Sequence, residues 1–140
     1  MELQEVYTYL KDIQYVNIAT IDDNRPRVRT MALVQFDHKF WLVTFTGTAK
    51  LAQIISNHNI EMSCDIYEKE SAGSIRGQGI ASICEDQNLK EKIIPAIWFF
   101  DRYFKSPTDP NYQLIQLSLS QFEVQSPKNK KMYLFNLEGD

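Results

Sequence analysis

The stretch RPRVRTMALVQF, residues 25–36, is followed after Asp37-His38-Lys39 by FWLVTF, residues 40–45, and the two read as antiparallel strands joined in a hairpin. Pro26 can open a strand but not sit at its centre, so the first strand is expected over residues 27–36. Side chains alternate across a strand, which places Arg25, Arg27, Arg29, Met31, Leu33 and Gln35 on one face. Val28, Thr30, Ala32, Val34 and Phe36 share the other face, with the pattern of a barrel interior. The second half of the strand is then apolar on both sides. Its outer face at Met31 and Leu33 is expected to be covered by a helix, a second subunit or a flat aromatic ligand.

Upstream, Leu3, Val6, Tyr7, Leu10 and Ile13 recur at spacings of three and four, the stripe of an amphipathic helix over residues 2–13. Residues 15–21 are β-rich and end at the turn signal Asp22-Asp23-Asn24. Downstream, a helix over 48–57 is capped by Thr48 and buries Leu51, Ile54 and Ile55. Strands are expected over 60–67, 73–84 and 113–124, with a last short one over 132–137. A helical stretch over 85–94 is interrupted by Pro95, and an aromatic-rich segment runs on to Phe104. Hairpin-length connections between some six strands predict a mainly β (α+β) fold, an antiparallel six-stranded sheet curled into a barrel with peripheral helices.

The 140 residues suit one domain, residues 1–140. With 15 basic and 18 acidic residues the net charge is −3, which argues against a nucleic-acid partner. Two cysteines, Cys64 and Cys84, exclude a disulfide framework and a four-cysteine zinc site. No apolar run approaches the roughly 20 residues of a membrane span, so the expectation is a soluble, cytoplasmic protein.

Three arginines at one strand end are either a solvated edge or an anion site, since a guanidinium fork matches phosphate. A second piece, TFTGTAKL at residues 44–51, turns from strand to helix at Gly47 and gathers Thr44, Thr46, Thr48 and Lys50 where the helix begins. Helix N-termini favour anions, and hydroxyls with one lysine would complete a phosphate cradle. There is no glycine-rich phosphate loop or dinucleotide fingerprint. His38 and His58 read as exposed, their spacing supports no metal site, and Cys64 and Cys84 read as buried thiols. Gly77 and Gly79 leave one strand face bare, marking a bend or a close approach. Trp98, Phe99, Phe100, Tyr103 and Phe104 are too many aromatics for one core stripe; most are expected to pack and one or two to edge a pocket. No residue is assigned a catalytic role.

Together, Arg29-Thr30-Met31-Ala32-Leu33 and the TxTxxKL turn resemble the flavin-binding core of the pyridoxamine 5'-phosphate oxidase-like FMN-binding split barrels, in their short bacterial general stress protein-like class. The likeness extends to IATID at 18–22, NIEMSCDIY at 59–67, RGQGIASI at 76–83 and SPTDPNYQLIQL at 106–117. It implies that Arg29 and Lys50, with the Thr48 hydroxyl, hold the phosphate of FMN. The backbone of Thr30, Met31, Ala32 and Leu33, with Val43 and Thr44, would lie against the ring. Ser74 stands where some relatives place a flavin-contacting Gln, and Ala49 replaces a second phosphate-binding arginine of the oxidases. The resemblance implies a homodimer with flavin at its seam, a role in bacterial stress response, and an FMN-dependent oxidoreductase using NAD(P)H on an unidentified small molecule. The alternatives are a non-catalytic flavin carrier or sensor, or use of a deazaflavin. After Lys131 the chain reads MYLFNLEGD, without the Arg and His that bind vitamin B6 in the true oxidases, so that reaction is not expected.

Overall fold

Two tight turns set the register on which the rest of the sheet depends. Asp23, Asn24, Asp37 and His38 all have positive φ (46°, 72°, 54° and 59°), the two-residue hairpin geometry whose twist matches antiparallel strands. Asp and Asn tolerate this region better than most residues, which is why these polar pairs end strands here. The structure, a computed structural model, describes residues 1–137; the last three residues of the MYLFNLEGD segment lie outside it.

The elements in order are α1 (Leu3–Leu10), β1 (Tyr15–Asp22), β2 (Arg25–Ala32), β3 (Val34–Phe36), β4 (Lys39–Phe45), α2 (Ala49–Ser56), β5 (Asn59–Glu68) and β6 (Ser71–Cys84). Then come α3 (Gln87–Lys92), a 3-10 turn (Ile94–Ala96), α4 (Phe100–Tyr103), β7 (Tyr112–Gln125) and β8 (Met132–Asn136). Every ladder is antiparallel, in the order β2-β1-β5-β6-β7-β4-β3, with β8 added to the far half of β7. β2 and β3 lie at opposite ends of that order, yet Leu33 alone joins them. The sheet therefore curls until its ends meet, which makes it a split barrel.

The described residues form eight strands rather than six. One expected strand divides at Leu33, whose N–H still bonds the Gln14 carbonyl at 2.9 Å on the β1 side while Val34 goes on to pair with Trp41 of β4, and β8 is the short last strand expected over 132–137. Pro26 is the second residue of β2, an edge strand, where its missing donor costs nothing.

The facing of β2 is the reverse of that expected. Its register sets Val16 opposite Met31 and Ile18 opposite Arg29, so Arg29 and Met31 share the inner side with the buried β1 residues. Met31 is 6% exposed and Leu33 2%, whereas Val28 is 71% exposed. A one-residue change of phase exchanges the faces of a strand. The apolar outer face expected at Met31 and Leu33 is thus barrel interior and needs no cover.

Val6 and Leu10 of α1 close one end of the barrel and Leu51 and Ile54 of α2 the other, all in one core. A second core lies outside the barrel wall. There Trp41, Tyr112 and Leu114 face outward under Ile93, Ile97, Phe100 and Phe104 of the α3–α4 segment. This outer core props the aromatic segment against the sheet.

β6 and β7 slip register between Gln78 and Gly79, leaving Ser120 as the extra residue of a bulge. A Cβ on Gly79 would penetrate the Ser118 carbonyl and Leu119 Cα, both backbone. One on Gly77 would meet only side-chain ends, Leu119 Cδ1, Phe122 Cε1 and Met62 Cγ, at 3.2–3.3 Å. Both the bend and the close approach expected of this pair are present. Gly79→Ala should therefore destabilise by about 3 kcal/mol or more and Gly77→Ala by about 1 kcal/mol, read from urea midpoints at constant slope.

Candidate functional site

Gly47, at φ 83°, turns the chain from β4 into α2, a conformation that favours glycine. Thr48 caps the helix, its Oγ1 accepting from the Leu51 N–H at 3.4 Å and lying 3.2 Å from the Thr44 hydroxyl. This brings Lys50, in the first turn of α2, beside the barrel end that Arg29 reaches from inside. The Arg29 guanidinium donates to the Thr20 hydroxyl (2.7 Å), the Gln53 side-chain oxygen (2.8 Å) and the Ile18 carbonyl (3.3 Å). Thr20 also donates to that Gln53 oxygen at 2.6 Å, so Arg29 is tied to α2 by neutral partners.

Neither cation has a carboxylate partner among the described residues. Burial pushes the Lys50 ammonium below its ordinary lysine pKa, and the charge of Arg29 pushes it further. Burial likewise lowers Arg29, with a smaller contribution from Arg27. Two partly desolvated cations repelling each other form a site that a multivalent anion would relieve. The sign for the free protein follows. Because Lys50 binds its proton less readily folded than unfolded, its contribution to stability rises as pH increases from its depressed value toward 10.5.

Lys50 opens into a pocket of about 410 Å³ at the seam between β2 and β4. Thr30, Met31 and Ala32 line one side, Val43, Thr44 and Phe45 the other, and Trp98, Phe99, Arg102, Tyr103 and Phe104 form a wall. None of the lining residues is acidic. In the aromatic segment, Phe100 and Phe104 stand four apart and are buried in the outer core. Trp98, Phe99, Arg102 and Tyr103, at offsets of three and four, take the pocket side. Edge-to-face contacts fix the wall: Trp98 on Tyr15 (6.2 Å between centroids), Trp98 on Phe99 (5.2 Å) and Tyr103 on Phe45 (5.7 Å).

Of the residues expected from sequence, Thr30, Met31, Ala32, Val43, Thr44 and Lys50 line this pocket, and Arg29 acts on Lys50 from behind it. Thr48 is engaged as the helix cap, and Leu33 is buried in the barrel core. Ser74 pairs with Asp65 and Gln125 in the sheet, away from the pocket lining. Tyr15, Phe45 and Arg102 were not anticipated, and four of the aromatics of residues 98–104 reach the pocket rather than one or two. The i, i+4 spacing of Trp98 and Arg102 was the available signal.

Elsewhere, His38 and His58 are exposed. Cys64 is buried and its thiol is pushed up to about 11 by that burial, whereas Cys84 is only half-buried. Cys64 should accordingly resist iodoacetamide in the folded protein and react fully in denaturant, as mass spectrometry would show. No group of three or more potential metal ligands occurs among the described residues, and no helix there is long and apolar enough to cross a membrane. A shallower cavity of about 570 Å³ on the outer face of β1, β5 and β6 holds a single ionisable side chain, Glu61.

A family model described as pyridoxamine 5'-phosphate oxidase matches residues 3–126. Among solved structures, general stress protein 26 from Bacillus anthracis superposes with a TM-score of 0.76 at 24% identity, covering 98% of this chain and 100% of that one. A NimC/NimA family protein from Clostridium acetobutylicum gives 0.79 at 19% identity, covering 96% and 92%. A heme binding protein from Mycobacterium smegmatis gives 0.77 at 11% identity, covering 94% of this chain and 56% of that one. At these identities the structural likeness concerns the fold. A search of the curated proteins finds no match.

Proposed function

We propose that this chain, which belongs to the pyridoxamine 5'-phosphate oxidase family, binds FMN in the pocket between β2, β4 and the aromatic segment. The observation that carries this reading is the convergence of Arg29 and Lys50 without any acid, beside a pocket walled by rings. The volume falls within the usual range for small-molecule sites, about 300–1,000 Å³. Lys50 and Arg29 would hold the phosphate, and the strand backbone of Thr30, Met31, Ala32, Val43 and Thr44 would present amides and carbonyls to a flat polar ring. Bound flavin supplies hydride and single-electron chemistry that no side chain here offers. The residues' own work is to bind, to orient and to exclude water from one ring face.

With flavin there, the reading extends to an FMN-dependent oxidoreductase taking electrons from NAD(P)H, as the family resemblance implies. A second reading, a flavin carrier or sensor without turnover, is favoured by one feature: the lining contains no carboxylate, imidazole or thiol to move a proton. The loaded protein mixed with NADH or NADPH separates the two. Bleaching of the flavin absorbance supports the oxidoreductase, and an unchanged spectrum supports the carrier. Mass spectrometry of ligand released on denaturation distinguishes FMN from a deazaflavin or haem. A homodimer is proposed as well, its apolar contacts drawn from the exposed outer strand residues Val28, Ile21 and Ile80, with light scattering as the check.

Titration followed by flavin fluorescence tests the central claim. FMN should bind roughly 10- to 100-fold more tightly than riboflavin, the expected contribution of charge-assisted bonds to phosphate. Equal affinity for the two would refute the cradle. The pH profile has a definite shape. FMN affinity should fall below about pH 6, where the phosphate loses its second charge, and fall again at alkaline pH as Lys50 deprotonates below its ordinary value.

A further inference from the structure

We infer that Gln53 is a positioning residue that sets the site's selectivity for a phosphorylated ligand: its amide oxygen holds the Arg29 guanidinium in place without cancelling its charge. This rests on the flavin reading above. One Arg29 nitrogen, Nη1, donates to the Thr20 hydroxyl at 2.7 Å, and that hydroxyl passes its own hydrogen to Gln53 Oε1 at 2.6 Å. The other, Nη2, donates to the same Gln53 oxygen at 2.8 Å, so the three side chains close a ring of hydrogen bonds. A guanidinium has donors only, and the Thr20 lone pair is already taken by Nη1, so the ring requires an acceptor at position 53. Thr20 is 1% exposed, which keeps water from replacing that acceptor. Gln53 follows Lys50 by three residues on α2, so one helix face carries both the free ammonium and the group that fixes the guanidinium. The charge of Arg29 is felt at Lys50, and neither has a carboxylate partner among the described residues.

Glutamate has nearly the same shape and is the stronger partner for arginine, through charge-assisted bonds. At position 53 it would keep the ring, hold Arg29 more firmly and supply the negative charge that a ligand phosphate otherwise brings. A neutral acceptor therefore separates orientation of the cation from its neutralisation. Stability of the free protein is given up at this position for affinity toward an anion.

Two near-isosteric variants, each titrated with FMN and riboflavin and melted without ligand, test this. Gln53→Glu should raise the thermal midpoint of the free protein yet weaken FMN roughly 10-fold or more, with riboflavin affinity within about twofold. Gln53→Met keeps the volume but has no comparable acceptor, and it leaves the buried Thr20 hydroxyl without its own. It should lower the midpoint and weaken FMN roughly 3- to 10-fold, again sparing riboflavin. Affinity for FMN thus falls in both variants while stability moves in opposite directions, a pattern that a merely structural role would not produce. FMN affinity within twofold of the unaltered protein in either variant overturns the inference. So does an equal loss of riboflavin affinity, which would mean that the pocket itself is distorted. If the unaltered protein takes FMN and riboflavin equally, or neither, the flavin reading fails separately. Inorganic pyrophosphate is then the probe, read by thermal unfolding. A stabilisation of the unaltered protein that Gln53→Glu loses supports the inference, and an equal shift in both, or none, ends it.

Discussion

Trp41→Ala is expected to destabilise the protein by about 3–5 kcal/mol, the range for truncating a large buried aromatic. Trp41 is 2% exposed, and it occupies the outer core between the barrel wall and the α3–α4 segment. Its indole N–H donates to the Phe36 carbonyl at 3.1 Å, so truncation also leaves that acceptor without its partner. Trp41→Phe keeps most of the volume and should cost less. The consequence for function differs from that of an inner-core change. The aromatic wall stands on this cluster through Phe100 and Phe104, so ligand binding should weaken under conditions where the barrel is still folded. Urea unfolding followed by far-UV circular dichroism, with FMN titration below the transition, measures both effects. Flavin affinity unchanged in a Trp41→Ala protein that remains folded would show that the wall does not depend on this core.

The second large effect is a contrast between two cations. Lys50→Ala should weaken FMN by roughly 10- to 100-fold while leaving riboflavin nearly unaffected, because only the phosphate contact is lost. It should not lower the stability of the free protein, since Lys50 is partly desolvated and repelled by Arg29. Arg29→Ala should weaken FMN comparably and also destabilise the free protein by about 1–3 kcal/mol. It removes the donor shared by Thr20 and Gln53, and Thr20 is 1% exposed. Thermal unfolding of each variant with and without FMN separates binding from folding. A Lys50→Ala protein that unfolds yet retains flavin affinity would contradict the assignment.

How far the sequence could be read follows the range of each signal. Thr48 as a helix cap and the Asp23-Asn24 and Asp37-His38 turns are local, and the structure has them where the residues placed them. The meeting of Arg29 with Lys50 needed two stretches some 20 residues apart, and it was reached through a resemblance carried by both. The facing of β2 is not legible in one dimension, where an arginine on the inner side of a barrel looks like a solvated edge. Only the register against β1, and Thr20 and Gln53 as partners, make that burial tolerable.

The order of polar and apolar residues along the chain determined by itself that this is an antiparallel β fold with capped helices and a lysine in the first turn after a strand-to-helix turn, because those features depend on neighbours within a few positions. Tertiary structure alone decided that Leu33 divides one strand into two, that Trp41 faces outward to hold up an aromatic wall, and that Arg102 reaches the same cavity as Lys50. Each of these rests on contacts between segments far apart in the chain, and it is closure of the barrel that brings them together.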